Sequence, residues 1–122
     1  MQISEAESVV MQALWQSSPL SAEDVFAAVA AGQDWQAPTV KTLLNRLLKK
    51  GAITASREGR RFLYSPVLDR ETWLDQQSES LLDRLFGGRV GPMVAHFSER
   101  GRLTETDVAE LRQILEKLDD GN

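Results

Sequence analysis

The 122-residue chain is 42% hydrophobic, carries a formal net charge of −4, and contains no cysteine and one histidine. That content suits one globular core, or a compact domain with an appendage that needs a partner. Without cysteine there is no disulfide framework, thiolate nucleophile or cysteine metal site, and one histidine makes no protein-only zinc site, so neither metal nor cofactor is expected.

In chain order, MQISEAESVV opens with acids rather than the basic and apolar regions of a signal peptide. The chain also has no apolar run of about eighteen residues. The expected address is cytoplasmic, with no membrane partner. Ser4 and Glu7 have the spacing of a capping box and predict a helix over 4–17, with Val9, Val10, Ala13 and Leu14 as its apolar stripe. Ser17-Ser18-Pro19 breaks it. A second helix starts at Ser21, with Glu23 and Asp24 suiting the positive end of its dipole, and ends near Gly32. Pro38 is tolerated in the first turn of a third helix, which Gly51 closes.

After Gly51 the period changes from helical to extended. AITAS and RFLYSPV flank the turn Arg57-Glu58-Gly59-Arg60 and predict a β-hairpin. From Asp69 to about Phe86 the chain is helical again, stops at Gly87-Gly88, resumes from Pro92 to Arg100, and stops at Gly101. Thr104 with Asp107 opens a last helix to about Asp119. The expected fold is mostly α with a small β-hairpin. Residues 1–68 form a winged helix-turn-helix domain, and 69–122 a C-terminal helical dimerisation domain.

Charge is distributed unevenly between these parts. All seven Lys and Arg of residues 1–66 fall within 41–61, opposed there by Glu58 alone, whereas residues 67–122 carry a net charge of −5. An acidic remainder does not cancel a basic surface beyond a Debye length of ~8 Å. The third helix has Val40, Leu43, Leu44, Leu47 and Leu48 on its apolar face and no acid on the other. A winged helix inserts this element into the major groove, its N-terminal end towards the bases. Thr39, Lys41 and Thr42 are therefore the expected base contacts: Lys41 can donate to guanine, and a threonine can meet a thymine methyl. Arg46, Lys49 and Lys50, with Arg57, Arg60 and Arg61 of the wing, are expected at phosphates or the minor groove. Any one of these bases alone fits an ordinary solvated face; together they point to double-stranded DNA. Trp35 and Phe62 are expected to pack in the core or a loop.

The acidic half is rich in large apolar residues, and Val108, Leu111, Leu115 and Leu118 form a seam that another helix must cover. With Trp73, Leu81, Leu85, Phe86, Met93 and Phe97 they are the expected homodimer interface, against the alternative of a monomeric six-helix fold. Two-fold pairing suits a palindromic operator. The function read from these features is sequence-specific transcriptional repression. The alternative is a winged-helix adaptor that binds protein and not DNA. An enzyme is not expected: Asp69, Glu71 and Asp75 share a helix, but no nucleophile, phosphate loop or metal set accompanies them.

APTVKTLLNRLLKKGAI, RRFLYSPV, LLDRLFGG, VAHF and LTETDVAELRQILEKL, in that order, resemble the penicillinase repressor family, the BlaI/MecI/CopY group. The resemblance spans nearly the whole chain and implies a dimeric winged-helix repressor of resistance or related genes. Members answering to a membrane sensor protease are cut at an Asn-Phe bond in the dimerisation domain. The matching pair here is His96-Phe97, which keeps the phenylalanine and not the asparagine; a sensor protease is a partner that only the resemblance implies, and the changed pair argues against cleavage. The copper-responsive branch uses a C-terminal cysteine hook, which this chain lacks. In the family's recognition helix the position of Lys41 is often arginine and that of Pro38 often basic.

Overall fold

The computed structural model describes residues 1–121; Asn122, the end of the expected second domain, lies outside the described residues. The elements run α1 (Glu5–Gln16), α2 (Ala22–Val29), α3 (Ala37–Lys50), β1 (Ile53–Glu58), β2 (Arg61–Pro66), α4 (Arg70–Leu85), α5 (Val90–Glu99) and α6 (Glu105–Asp120). The six helices and the antiparallel hairpin match the expected order. They divide into two compact units, residues 1–74 and the residues from 75 on.

Local chemistry sets the helix starts. Ser4 with Glu7, Ser21 with Asp24 and Thr104 with Asp107 each close a reciprocal capping box at α1, α2 and α6. The backbone N–H and then the hydroxyl of Thr104 hold the Asp107 carboxyl below its usual range. α3 begins instead at Gln36, with no side-chain cap and with Pro38 in its first turn.

In the first unit, the apolar faces of α1, α2 and α3 converge. Val10, Met11 and Leu14 meet Val25 and Val29, then Val40, Leu43, Leu44 and Leu47, with Ile53 and Tyr64 of the hairpin closing the core. Trp35 packs at its edge. The Trp15 indole N–H donates to the Leu68 carbonyl at 2.8 Å, and its ring lies 5.3 Å from that of Trp73. Trp73, expected in the dimer seam, is thus a packing residue of the first unit. The aromatic contact draws the first turn of α4 into this unit, so the division falls a few residues beyond the expected Leu68.

The hairpin pairs from Ile53 with Pro66 to Glu58 with Arg61. Its turn is therefore the two residues Gly59-Arg60, and Arg57 and Glu58 belong to β1. Gly59 takes φ +63° at the first loop position, a glycine conformation that matches the twist of a two-residue hairpin. Leu20 ties the base of the hairpin to the helices through two backbone bonds with Tyr64, of 3.0 and 2.7 Å.

The second unit is built differently. None of α4, α5 and α6 buries a residue. Met93, Val94 and Phe97 of α5 face Leu111 and Ile114 of α6 across an open apolar groove, and Leu85 and Leu115 are 61% and 60% exposed.

Leu47 is fully buried where α3 meets the other core elements. Leu47→Ala should cost about 2–5 kcal/mol through lost transfer energy and a residual cavity. Urea unfolding checks this: the midpoint should fall at an unchanged slope.

Candidate nucleic-acid interface

α3 has two chemically separate sides. Val40, Leu43, Leu44 and Leu47 are buried, and Thr39, Lys41, Thr42, Asn45, Arg46 and Lys49 are exposed. With its leucine side spent on the core, the helix has only its basic side to offer a ligand. The Thr42 hydroxyl donates to the Pro38 carbonyl at 3.0 Å, which uses its proton and leaves the oxygen free to accept.

The wing brings cations from elsewhere in the chain to the same place. Lys41 shares the walls of one depression with Arg60, Arg61 and Phe62 of the hairpin and Glu23 of α2. Among the described residues, no ion pair involves Lys41, Arg46, Lys49, Arg57, Arg60 or Arg61. Arg57 donates to the Gly59 carbonyl at 3.2 Å, which steadies its guanidinium beside the turn. Phe62 corrects an expectation: at 49% exposure it lies on the wing surface, because the hairpin reaches past the core that holds Tyr64. In the sequence, Glu23 stands out only as a helix-dipole residue. Its place beside Lys41 depends on how α2, α3 and the hairpin pack, which no local spacing encodes.

Lys50 also departs from expectation. It follows Leu47 by three residues and so sits on the rim of the buried stripe. Its ammonium turns inward, to Glu7 Oε1 at 2.5 Å and to the Gln2 carbonyl at 3.1 Å. The phosphate contact expected of it gives way to an internal pair, because the Glu7 side chain is 2% exposed and demands a counter-charge. Burial pushes the Glu7 carboxyl up. The hydrogen bonds from Lys50 and Ser4, with the Lys50 charge, outweigh burial and hold it below its ordinary value.

Elsewhere, His96 and Phe97 are exposed within α5, the imidazole 6.0 Å from the Phe86 ring and 5.7 Å from that of Phe97. Among the described residues no group of three or more His, Cys, Asp or Glu is arranged to hold a metal ion, and no helix is long and apolar enough to cross a membrane.

The family profile described as penicillinase repressor matches residues 3–117. The penicillinase repressor of Bacillus licheniformis is 37% identical over 116 residues, covering 95% of this chain and 91% of that protein. The methicillin resistance regulatory protein MecI of Staphylococcus aureus is 29% identical over 116 residues, covering 95% and 94%. Among solved structures, the DNA-binding domain of the repressor BlaI matches with 39% identity and a TM-score of 0.53, over 57% of this chain and 84% of that one. The Bacillus licheniformis BlaI monomeric form in complex with the blaP half-operator matches with 38% identity and a TM-score of 0.52, over 58% and 87%.

The lowered carboxyl of Glu7 has a consequence for stability. A group whose pKa is depressed by folding stabilises the fold above its unfolded pKa, and that contribution fades as pH falls through the folded value. At pH 7, Glu7→Gln should lose about 1 kcal/mol, at the low end for a charged hydrogen bond because the Lys50 side chain is 38% exposed. As pH falls through the lowered value of the Glu7 carboxyl, the gap to wild type should narrow. Urea midpoints of both proteins at pH 7 and pH 3 test this, and an equal gap at both would count against it.

Proposed function

The chain belongs to the penicillinase repressor family, and from that premise we propose that it is a transcriptional repressor whose homodimer binds the two halves of a palindromic operator. The observation that carries this reading is the shared depression, in which Lys41 and the wing arginines Arg60 and Arg61 stand together and, among the described residues, form no ion pair. A relative of similar fold bound to a half-operator supports DNA as the ligand. In this reading Thr39, Lys41 and Thr42 meet base edges in the major groove. Arg46, Lys49, Arg57, Arg60 and Arg61 hold phosphates or the minor groove, and Lys50 holds α3 in place. The protein acts in the cytoplasm, where its DNA is, and no catalytic step or cofactor enters.

The second unit supplies the pairing surface. No residue of these three helices is fully buried, and the apolar area that they leave in water contributes no stability. A second copy placed against Leu81, Leu85, Phe86, Met93, Phe97, Val108, Leu111, Leu115 and Leu118 provides the missing cover. Dimerisation by two-fold symmetry also sets two recognition helices about one DNA turn apart, ~34 Å, as a palindrome requires. A sensor protease acting between His96 and Phe97 would first have to unwind α5, since the bond lies inside that helix.

Two measurements test this reading. Gel-shift titrations at two salt concentrations should give steeply salt-dependent binding. Lys41→Ala should relax sequence preference, and Lys49→Ala should weaken all duplexes alike and flatten the salt slope by roughly one unit. Equal loss on selected and random duplexes for both variants contradicts the division of roles, and salt-insensitive or absent binding favours a protein-binding adaptor. For pairing, Leu111→Asp combined with Leu115→Asp should convert the dimer to a monomer in sedimentation; an unchanged dimer places the interface elsewhere.

A further inference from the structure

One side chain in the basic depression has the opposite sign. Glu23, in the first turn of α2, lines it with Lys41, Arg60, Arg61 and Phe62, is exposed, and among the described residues forms no ion pair with any of them. Closing the start of α2 does not require it. That is done by Ser21 and Asp24, whose side chains accept from each other's backbone N–H at 3.1 and 3.3 Å. Facing a duplex, a carboxylate here is repelled by the phosphate backbone. Such a group weakens every duplex equally unless some sequence offers it a donor. In the major groove that donor is the exocyclic amine of cytosine, the usual partner of a glutamate.

We propose that Glu23 is a specificity-determining residue: it accepts a hydrogen bond from cytosine N4 at one position of the binding site, and on other sequences it opposes the backbone. This rests on the repressor reading above. It gives the depression two tasks, with Lys41, Arg60 and Arg61 attracting any duplex and Glu23 penalising those that lack the cytosine.

The test is selection of binding sites from a randomised duplex pool by full-length wild type, Glu23→Ala and Glu23→Gln. Titration of the selected duplex, its cytosine-to-thymine change and a random-sequence duplex follows. Wild type should fix a cytosine at one position and lose about tenfold on the thymine change, and Glu23→Ala should lose less than about twofold. Both variants should bind the random duplex several-fold more tightly than wild type. Glu23→Gln, which keeps an acceptor without the charge, should retain part of the cytosine preference. A purely structural role at the helix start would lower the melting temperature of both variants and leave base preference unmoved. Identical preference in wild type and Glu23→Ala, or an equal change on all duplexes, overturns the role of Glu23. Wild type that selects no sequence and binds no duplex overturns the repressor reading itself.

Discussion

The structure depends on the burial of one face of α3. Val40, Leu43, Leu44 and Leu47 are 4% exposed or less, so the helix cannot rotate without driving leucines into water at about 1.5–3 kcal/mol each. That constraint fixes which side Lys41, Arg46 and Lys49 present. Gly51, at φ +79°, then reverses the chain within one residue, and the N–H groups of Gly51 and Ala52 return to the carbonyls of Leu48 and Leu47 at 3.0 and 2.9 Å. A side chain there would be strained, so the sharp splice between recognition helix and wing depends on glycine. The wing arginines are thereby held beside the helix whose outward side they complete.

Electrostatics acts on this frame at two ranges. A net charge of −4 says little about the basic segment, because among the described residues six of its seven bases, all but Lys50, form no ion pair, and salt screens charge beyond a Debye length of ~8 Å. At short range, Glu7 takes Lys50 out of the ligand-facing set and uses it to anchor the end of α3 to the start of α1. Glu23 does the reverse: exposed and, among the described residues, without an ion pair, it stands beside Lys41, Arg60 and Arg61.

The two units divide the problem of stability. The first closes a core of its own from three helices and the hairpin, with Trp15 and Trp73 sealing its edge. The second exposes its leucines along α4 and α6 and leaves an apolar groove between α5 and α6. The first unit needs no further cover, whereas the apolar side chains exposed on α4, α5 and α6 add stability only where another surface removes them from water.

What the sequence by itself determined was local. Capping pairs three residues apart, the helical spacing of Val40 to Leu48, the change of period after Gly51 and the glycine breaks lie within a few residues of one another, and each acts through the nearest turn or strand. From these the six helices, the hairpin and the basic outer side of α3 are legible. Tertiary structure alone decided the rest. Lys50 meets Glu7 across 43 positions of chain, Trp73 closes on Trp15, Phe62 projects because the hairpin outruns the core, and Glu23 joins Lys41 where α2, α3 and the wing converge. Such contacts depend on how elements pack against one another. A buried carboxylate takes whichever cation that packing brings within reach, and no spacing along the chain specifies which one.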